Sequence, residues 1–147
     1  MAMFKHILIP TDGSEIAAKA IAAGIAFAKE NGARVTGYYA LEEMNMHHVG
    51  SHITKELSVE LDKRAQEVAE NHVAEIARAA QAAGVPFESI VSKTVQPYEG
   101  IIEAAKRCGA DIIFMSSHGR RGLSGLLIGS VTQRVLSHST IPVLVFR

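Results

Sequence analysis

The sequence predicts an α/β fold: a doubly wound parallel sheet of five strands with helices on both faces, of the Rossmann-like kind. Short runs rich in apolar and β-branched residues alternate along the chain with longer segments of helical period. Glycine or proline ends several of these segments, and the helical ones are long enough to connect parallel strands. The 147 residues suit one domain, so we expect a single core and a single domain over residues 1–147.

The first strand is predicted over residues 4–10 and the first helix over residues 14–31. The strand stops at Thr11-Asp12-Gly13-Ser14, a turn that supplies a helix cap. The helix ends before Gly32, and its many alanines allow close packing on a sheet. Its apolar stripe consists of Ala17, Ile21, Gly24, Ile25 and Ala28.

The second strand is predicted over residues 34–41, followed by an exposed polar loop over residues 42–51. A long surface helix then covers residues 54–83 and ends at Gly84 and Pro86. Its apolar residues recur at helical spacing: Leu57, Leu61, Val68, Ile76 and Ala80.

The last three strands are predicted over residues 87–94, residues 110–117 and Ile141 to Phe146. A helix from Pro97 to Arg107 precedes the fourth strand, and a helix over residues 130–137 follows it. In such a sheet, ligands bind beyond the carboxyl ends of the strands, where the strand order reverses. The loops expected there are residues 10–14, 40–43 and 116–130.

Composition excludes several classes of function. Fifteen basic and fifteen acidic residues cancel, so no net positive field favours a nucleic acid or an anionic membrane. The longest apolar run, residues 20–28, is far shorter than the roughly 20 residues of a membrane helix. The first strand begins too early to leave room for a secretory signal, so we expect a soluble, cytoplasmic protein.

One stretch combines a buried strand, a glycine turn and a helix start. It reads Ser116-Ser117-His118-Gly119, then nine residues, then Gly129-Ser130, and it follows the apolar run of the fourth strand. Glycines let backbone amides approach phosphate oxygens, and a helix N-terminus contributes about half a positive charge. The stretch therefore predicts a phosphate-binding site.

These residues resemble the universal stress proteins, in particular their ATP-binding branch. The resemblance spans the chain and rests on Ile7 to Ser14, on Ala110 to Gly119, and on Gly129-Ser130-Val131 followed by Ile141-Pro142-Val143-Leu144-Val145. The branch carries the loop Gly, two residues, Gly, nine residues, Gly-Ser/Thr. Three of the four positions match here, and Ser116 stands where the first glycine is expected.

The resemblance implies a five-stranded sheet of the adenine nucleotide alpha hydrolase type that binds ATP, with AMP and ADP as alternatives, and Mg²⁺ held through the phosphates. Pro10, Thr11 and Asp12 would line the adenosine, with Ala40 and Met115 beside the base and Ser116 near the sugar. Backbone amides and hydroxyls would hold the phosphates, from Gly119, Gly129, Ser130, Val131 and Thr132.

Four residues have competing interpretations. Arg120, with Arg121, either contacts phosphate or belongs to a solvated loop, and His118 either contacts phosphate or serves the turn. Asp12 has a plain alternative role in entering the first helix. No residue is nominated as catalytic.

Other chemistries find little support. The chain has neither a Gly-x4-Gly-Lys-Ser/Thr loop nor a Gly-x-Gly-x-x-Gly fingerprint. His47, His48 and His52 lack the companions of a zinc pattern, and Cys108 is expected to be a small buried core residue. Three functions therefore compete: a nucleotide-dependent stress or signalling module with an unidentified protein partner, a dimeric interaction module that binds no nucleotide, and a slow ATPase.

The terminal strand, Ile141 to Phe146, predicts an oligomer. It is apolar and expected at an edge of the sheet, where unpaired backbone groups invite pairing. Pairing with its own copy would give a homodimer, which the resemblance also implies.

Overall fold

A computed structural model of the chain describes residues 3–43, 53–119 and 127–147. Strands and helices alternate in it as the sequence predicts. The elements are β1 His6–Pro10, α1 Glu15–Asn31, β2 Arg34–Glu42, α2 Lys55–Ala83, β3 Phe87–Thr94, α3 Pro97–Cys108, β4 Ile112–Ser116, α4 Ser130–His138 and β5 Val143–Phe146.

All strand pairs are parallel, and the strand order is β3-β2-β1-β4-β5. Leu8 of β1 lies between Thr36 of β2 and Ile113 of β4 in register. The chain therefore winds outward from β1 in one direction and returns through β4 in the other. This confirms the predicted fold class and places the reversal of strand order between β1 and β4.

The sheet divides the single core expected from the chain length into two hydrophobic clusters, one on each face. Ile7 and Ile9 of β1 pack with α1 and α2, whereas Leu8 between them packs with α3 and α4. This alternation follows from the period of two in a strand. The predicted stripe of α1 is buried in full, from Ala17 to Ala28.

Strands β1, β4 and β5 each begin two residues later than predicted. At the start of β1, the N–H groups of Lys5 and His6 donate to the Asp111 carboxylate at 2.9 and 3.3 Å. These bonds to a side chain take the place of backbone bonds to a neighbouring strand. Before β5, Pro142 has no N–H to donate. Side-chain and proline effects of this kind are not visible in apolar periodicity.

Apolar residues recur at helical spacing along helix α2, but the buried ones all lie in its second half. Its buried residues are Ala69, Val73, Ile76 and Ala80, whereas Leu57 and Val68 are 45% and 46% exposed. The first half has the predicted spacing, but its apolar residues are exposed or only half-buried in the described part of the chain. No helix in the described ranges is long and apolar enough to cross a membrane.

The edge of the sheet at the amino ends of the strands is built from three similar turns. Gly32, Gly84 and Gly109 end α1, α2 and α3 in the left-handed conformation, with φ of 61°, 72° and 76°. In each turn the next residue donates its N–H to a helix carbonyl five residues back, as in a Schellman motif. Only glycine adopts this φ without strain.

His6 is a buried histidine within the sheet and is 4% exposed. Its Nε2 lies 2.6 Å from Thr36 Oγ1, and Nδ1 has no partner among the described residues. Burial lowers its pKa below 6.5, with Arg34 acting in the same direction and Glu88 and Asp111 opposing.

We expect His6 to make stability fall with acidification below about pH 6.5. There the unfolded chain binds a proton that the folded protein disfavours, so the free energy of unfolding drops by up to about 1.4 kcal/mol per pH unit. Urea unfolding of wild type and His6→Asn at several pH values measures this. The wild type should lose more stability than the variant between pH 7 and 5.5; parallel curves would contradict it.

Candidate functional site

A cleft of about 680 Å³ opens at the carboxyl edge of the sheet, where the strand order reverses. All but one of the predicted site residues line it. Arg120, like Arg121, lies outside the described residues. The twelve that the structure brings together are Pro10, Thr11, Asp12, Ala40, Met115, Ser116, His118, Gly119, Gly129, Ser130, Val131 and Thr132.

The turn after β1 is fixed by its own side chains. Thr11 donates its N–H to the carbonyl of Tyr38, which ties the turn to β2 at 2.9 Å. Thr11 Oγ1 accepts from the N–H of Gly13, and Asp12 Oδ1 accepts from the N–H of Ser14, at 3.1 and 2.9 Å. Asp12 therefore has the helix-entry role, and its carboxylate also lies at the cleft.

The start of α4 is tied to the end of β4. The N–H of Gly129 donates to the carbonyl of Ser117 at 2.7 Å, and the Thr132 hydroxyl donates to the carbonyl of Ser116 at 2.9 Å. Among the described residues no side chain caps this N-terminus, whereas Ser14 and Thr54 cap α1 and α2. The uncapped amides of α4 give the cleft a wall suited to an anion.

The two motif glycines are required by close approach rather than by a positive φ. A Cβ at Gly119 would lie 2.5 Å from Asp12 Oδ2. A Cβ at Gly129 would lie 3.3 Å from the Cα of His118 and from the carbonyl oxygen of Ser117. The glycines thus let the loop after β4 lie against the turn after β1.

Ser116 fits the backbone where the resembled motif has glycine. Among the described residues, only glycines have a positive φ, so this position does not demand glycine. Its hydroxyl donates to the carbonyl of His118 at 2.8 Å. The serine therefore stabilises the turn into the loop.

His118 is held by its neighbour. Its Nδ1 lies 2.9 Å from Ser117 Oγ, and Ser117 is buried. Its Nε2 is buried and has no partner among the described residues. When the Ser117 hydroxyl donates to Nδ1, the imidazole carries its proton on Nε2, which suits a donor to an anion.

The cleft has a second wall that sequence reasoning missed. Arg134 donates from Nη1 to Gln96 Oε1 at 3.1 Å, and its guanidinium carbon lies 5.7 Å from the centre of the Tyr98 ring. Arg134 lies one helical turn after Ser130, so helical spacing could have indicated that Arg134 is at the cleft. Leu41 and Glu42 belong to the loop over residues 40–43, which was expected at this edge. The lining residues that were missed are Tyr38, Tyr39, Ala65, Val95, Gln96, Pro97, Tyr98, Ile101 and Arg134.

Tyr38 is fully buried at the base of the cleft. Its hydroxyl lies 2.8 Å from Ser92 Oγ. Burial raises its pKa above 10, opposed by the hydrogen bond with Ser92. The tyrosine is therefore neutral at pH 7 and serves as a floor.

The remaining candidates lie elsewhere. His47, His48 and His52 fall outside the described residues. Within residues 3–43, 53–119 and 127–147, no group of three His, Cys, Asp or Glu side chains could hold a metal. Cys108 is half-buried rather than buried, and its thiol lies 3.6 Å from the carbonyl of Ala105.

A parallel five-stranded sheet with a glycine-lined cleft at its topological switch point defines a Rossmann-like α/β protein. Comparison with known sequences identifies the family within this class of proteins. A sequence model of the universal stress protein family matches residues 3–147, and the chain belongs to this family.

Relatives cover the chain nearly completely. A universal stress protein of Thermus aquaticus is 35% identical over 145 residues, which is 99% of this chain and all of that protein. Universal stress protein MJ0577 of Methanocaldococcus jannaschii is 31% identical over 156 residues, covering 99% of this chain and 96% of its own.

Solved structures agree with the fold. The structure of MJ0577 superposes with a TM-score of 0.82 at 34% identity, covering 97% of this chain and 95% of that one. The universal stress protein of Archaeoglobus fulgidus, solved in complex with dAMP, gives a TM-score of 0.66 over the full length of both chains. At 17% identity, the second likeness shows the fold alone.

Proposed function

We propose that this chain is a cytoplasmic ATP-binding universal stress protein, a stress-response or signalling module whose affinity for a protein partner depends on the bound nucleotide. One observation carries the proposal: twelve of the thirteen residues predicted to bind nucleotide line one cleft. The A. fulgidus relative solved with dAMP, and a further family member solved with cAMP, show adenine nucleotides on this fold.

In the proposed complex, the adenosine lies between the turn after β1 and the end of β4. Pro10, Thr11 and Asp12 line the adenosine, with Ala40 and Met115 beside the base. The phosphates lie at the N-terminus of α4, whose amides carry no side-chain cap from the described ranges.

The residues present fit Mg²⁺ bound through the nucleotide. Magnesium is usually held by one or two carboxylates together with substrate phosphates. Asp12 presents its carboxylate at the cleft beside Gly119. The metal would neutralise phosphate charge there, while Asp12 keeps the turn in place through Ser14.

We further propose that nucleotide is held with little or no turnover. Hydrolysis needs a residue that orients the attacking water. Asp12 is bonded to the Ser14 amide, and His118 to Ser117. These contacts favour binding roles, and slow ATP hydrolysis remains the alternative activity.

The proposal includes a homodimer formed through Ile141 to Phe146. Strand β5 is at an edge of the described sheet, and its residues are only partly buried. An edge strand exposes unpaired N–H and C=O groups, which a second copy would satisfy. Pro142 precedes the strand and does not interrupt its ladder.

We expect protein purified without added ligand to contain adenine nucleotide and to titrate with ATP. Ion-exchange chromatography of the supernatant after denaturation identifies the nucleotide, and calorimetry of emptied protein measures binding with and without Mg²⁺. ADP, AMP and GTP serve as comparisons, with ATP the tightest. Phosphate release over several hours tests turnover.

An empty protein that also fails to titrate would overturn the nucleotide proposal. Light scattering on the same preparation would then separate the nucleotide-free dimeric module from a monomer. Sustained phosphate release would favour the slow ATPase over the nucleotide-dependent module.

A further inference from the structure

His72 of α2 lies beneath the cleft without lining it. Its ring stacks on Tyr39, with centroids 5.4 Å apart and planes 11° from parallel. The same ring covers Gly13: a Cβ built there would lie 2.5 Å from His72 Nε2. One side chain of α2 thus touches both β2 and the turn after β1.

Both contacts reach residues at the edge of the cleft. Tyr39 lines it, and Gly13 directly follows Asp12, which lines it as well. Gly13 has a φ of 81°, and its N–H bonds to Thr11 Oγ1. The ring therefore occupies the space beside the residue on which the turn depends.

In its contacts with Tyr39 and Gly13, His72 acts as a flat ring. Its side chain is 22% exposed, and Nδ1 is buried without a hydrogen-bond partner among the described residues. Glu75 Oε1 lies 3.9 Å from Nδ1, too far for a hydrogen bond. The contribution of His72 is packing against Tyr39 and Gly13.

We propose that His72 is a positioning residue, through which α2 holds the Thr11–Ser14 turn and Tyr39 in the shape that binds nucleotide. This inference rests on the proposed nucleotide site. By linkage, a partner that moves α2 would change nucleotide affinity, and bound nucleotide would stabilise α2 to the same extent. The second half of α2 is buried against the sheet, whereas its first half is exposed to such a partner.

The test compares three variants of the full chain. His72→Ala removes the ring, and His72→Phe keeps it without the nitrogens. Ile76→Val, one turn further along α2, trims the core and costs about 1 kcal/mol of stability without touching the turn. ATP affinity by calorimetry and exchange of the Gly13 and Ser14 amides by NMR in the ligand-free protein are measured for each.

We expect His72→Ala to bind ATP about tenfold more weakly than the wild type, with faster exchange of both amides. His72→Phe should remain within about twofold of the wild type, and Ile76→Val should match it in both measurements. Wild-type affinity and exchange in His72→Ala, or equal losses in Ile76→Val, would overturn the inference. So would failure of His72→Phe to restore affinity.

The amide exchange needs no ligand. If the wild type binds no ATP, the proposed function fails. Faster exchange in His72→Ala alone would then still support the positioning of the turn, and unchanged exchange would overturn it.

Discussion

Replacing Gly119 with valine is expected to lower ATP affinity at least about a hundredfold. The new Cβ would lie 2.5 Å from Asp12 Oδ2, and the Asp12 carboxylate cannot move freely because its other oxygen accepts from the Ser14 amide. Either the loop after β4 or the turn after β1 must shift, which separates the two sides of the cleft. A displacement of about 1 Å can lower an enzyme's rate about a hundredfold, and we expect a loss of the same order in ATP affinity here.

Calorimetric titration with ATP measures this effect, and thermal unfolding checks that the variant is folded. Gly119 is partly exposed and in a loop, so the melting temperature should change little. Ser130→Ala is the matched control, because it removes a hydroxyl from the cleft and keeps the backbone amide. It should lose no more than about tenfold, and a Gly119→Val protein that binds as tightly as this control would refute the close-approach role.

The largest expected effect on stability comes from Gly100→Ala in α3. A Cβ at Gly100 would collide with the hydroxyl of Tyr38, and it would lie 3.1 Å from Thr94 Cγ2. Tyr38 is fully buried and cannot turn away, and its shift would break the hydrogen bond to Ser92. Overpacking and the lost bond outweigh the better helix propensity of alanine, for a net cost of about 2 kcal/mol.

Urea unfolding of Gly100→Ala, Tyr38→Phe and the double variant isolates the cause. Tyr38→Phe alone removes the hydroxyl and one hydrogen bond, at a cost of about 1 kcal/mol. In the double variant the alanine meets no hydroxyl. Its loss of unfolding free energy should therefore be smaller than the sum of the losses of the two single variants. Strict additivity would mean that Thr94, rather than Tyr38, opposes the new methyl group.

The sequence predicted well the features that depend on neighbours along the chain. Ser14 caps α1 as expected, and Gly32 and Gly84 end the helices where they were placed. These residues act through their own backbone and through residues within one turn. The motif loop was found for the same reason, since Gly119 and Gly129 flank one loop.

Features that depend on distant contacts were missed. The loop after β3 reaches the cleft because β3 ends at the same edge as β2, so the switch-point rule could have included Gln96. Nothing local indicates that Ala65 of α2 lines the cleft, or that Leu57 is 45% exposed. Apolar periodicity gives the face of a helix, but not how far along its length that face is covered.

The three left-handed glycine turns lie at one edge of the sheet, apart from the cleft. They build one edge of the sheet from local backbone bonds, and the cleft is at the opposite edge, about 15 Å away along β1. Substitutions in the turns are therefore limited by the backbone conformation alone. Substitutions in the cleft are limited by the chemistry of the ligand. The fold offers an anchoring end, where a dye or surface tether could be attached, and leaves the recognition end untouched.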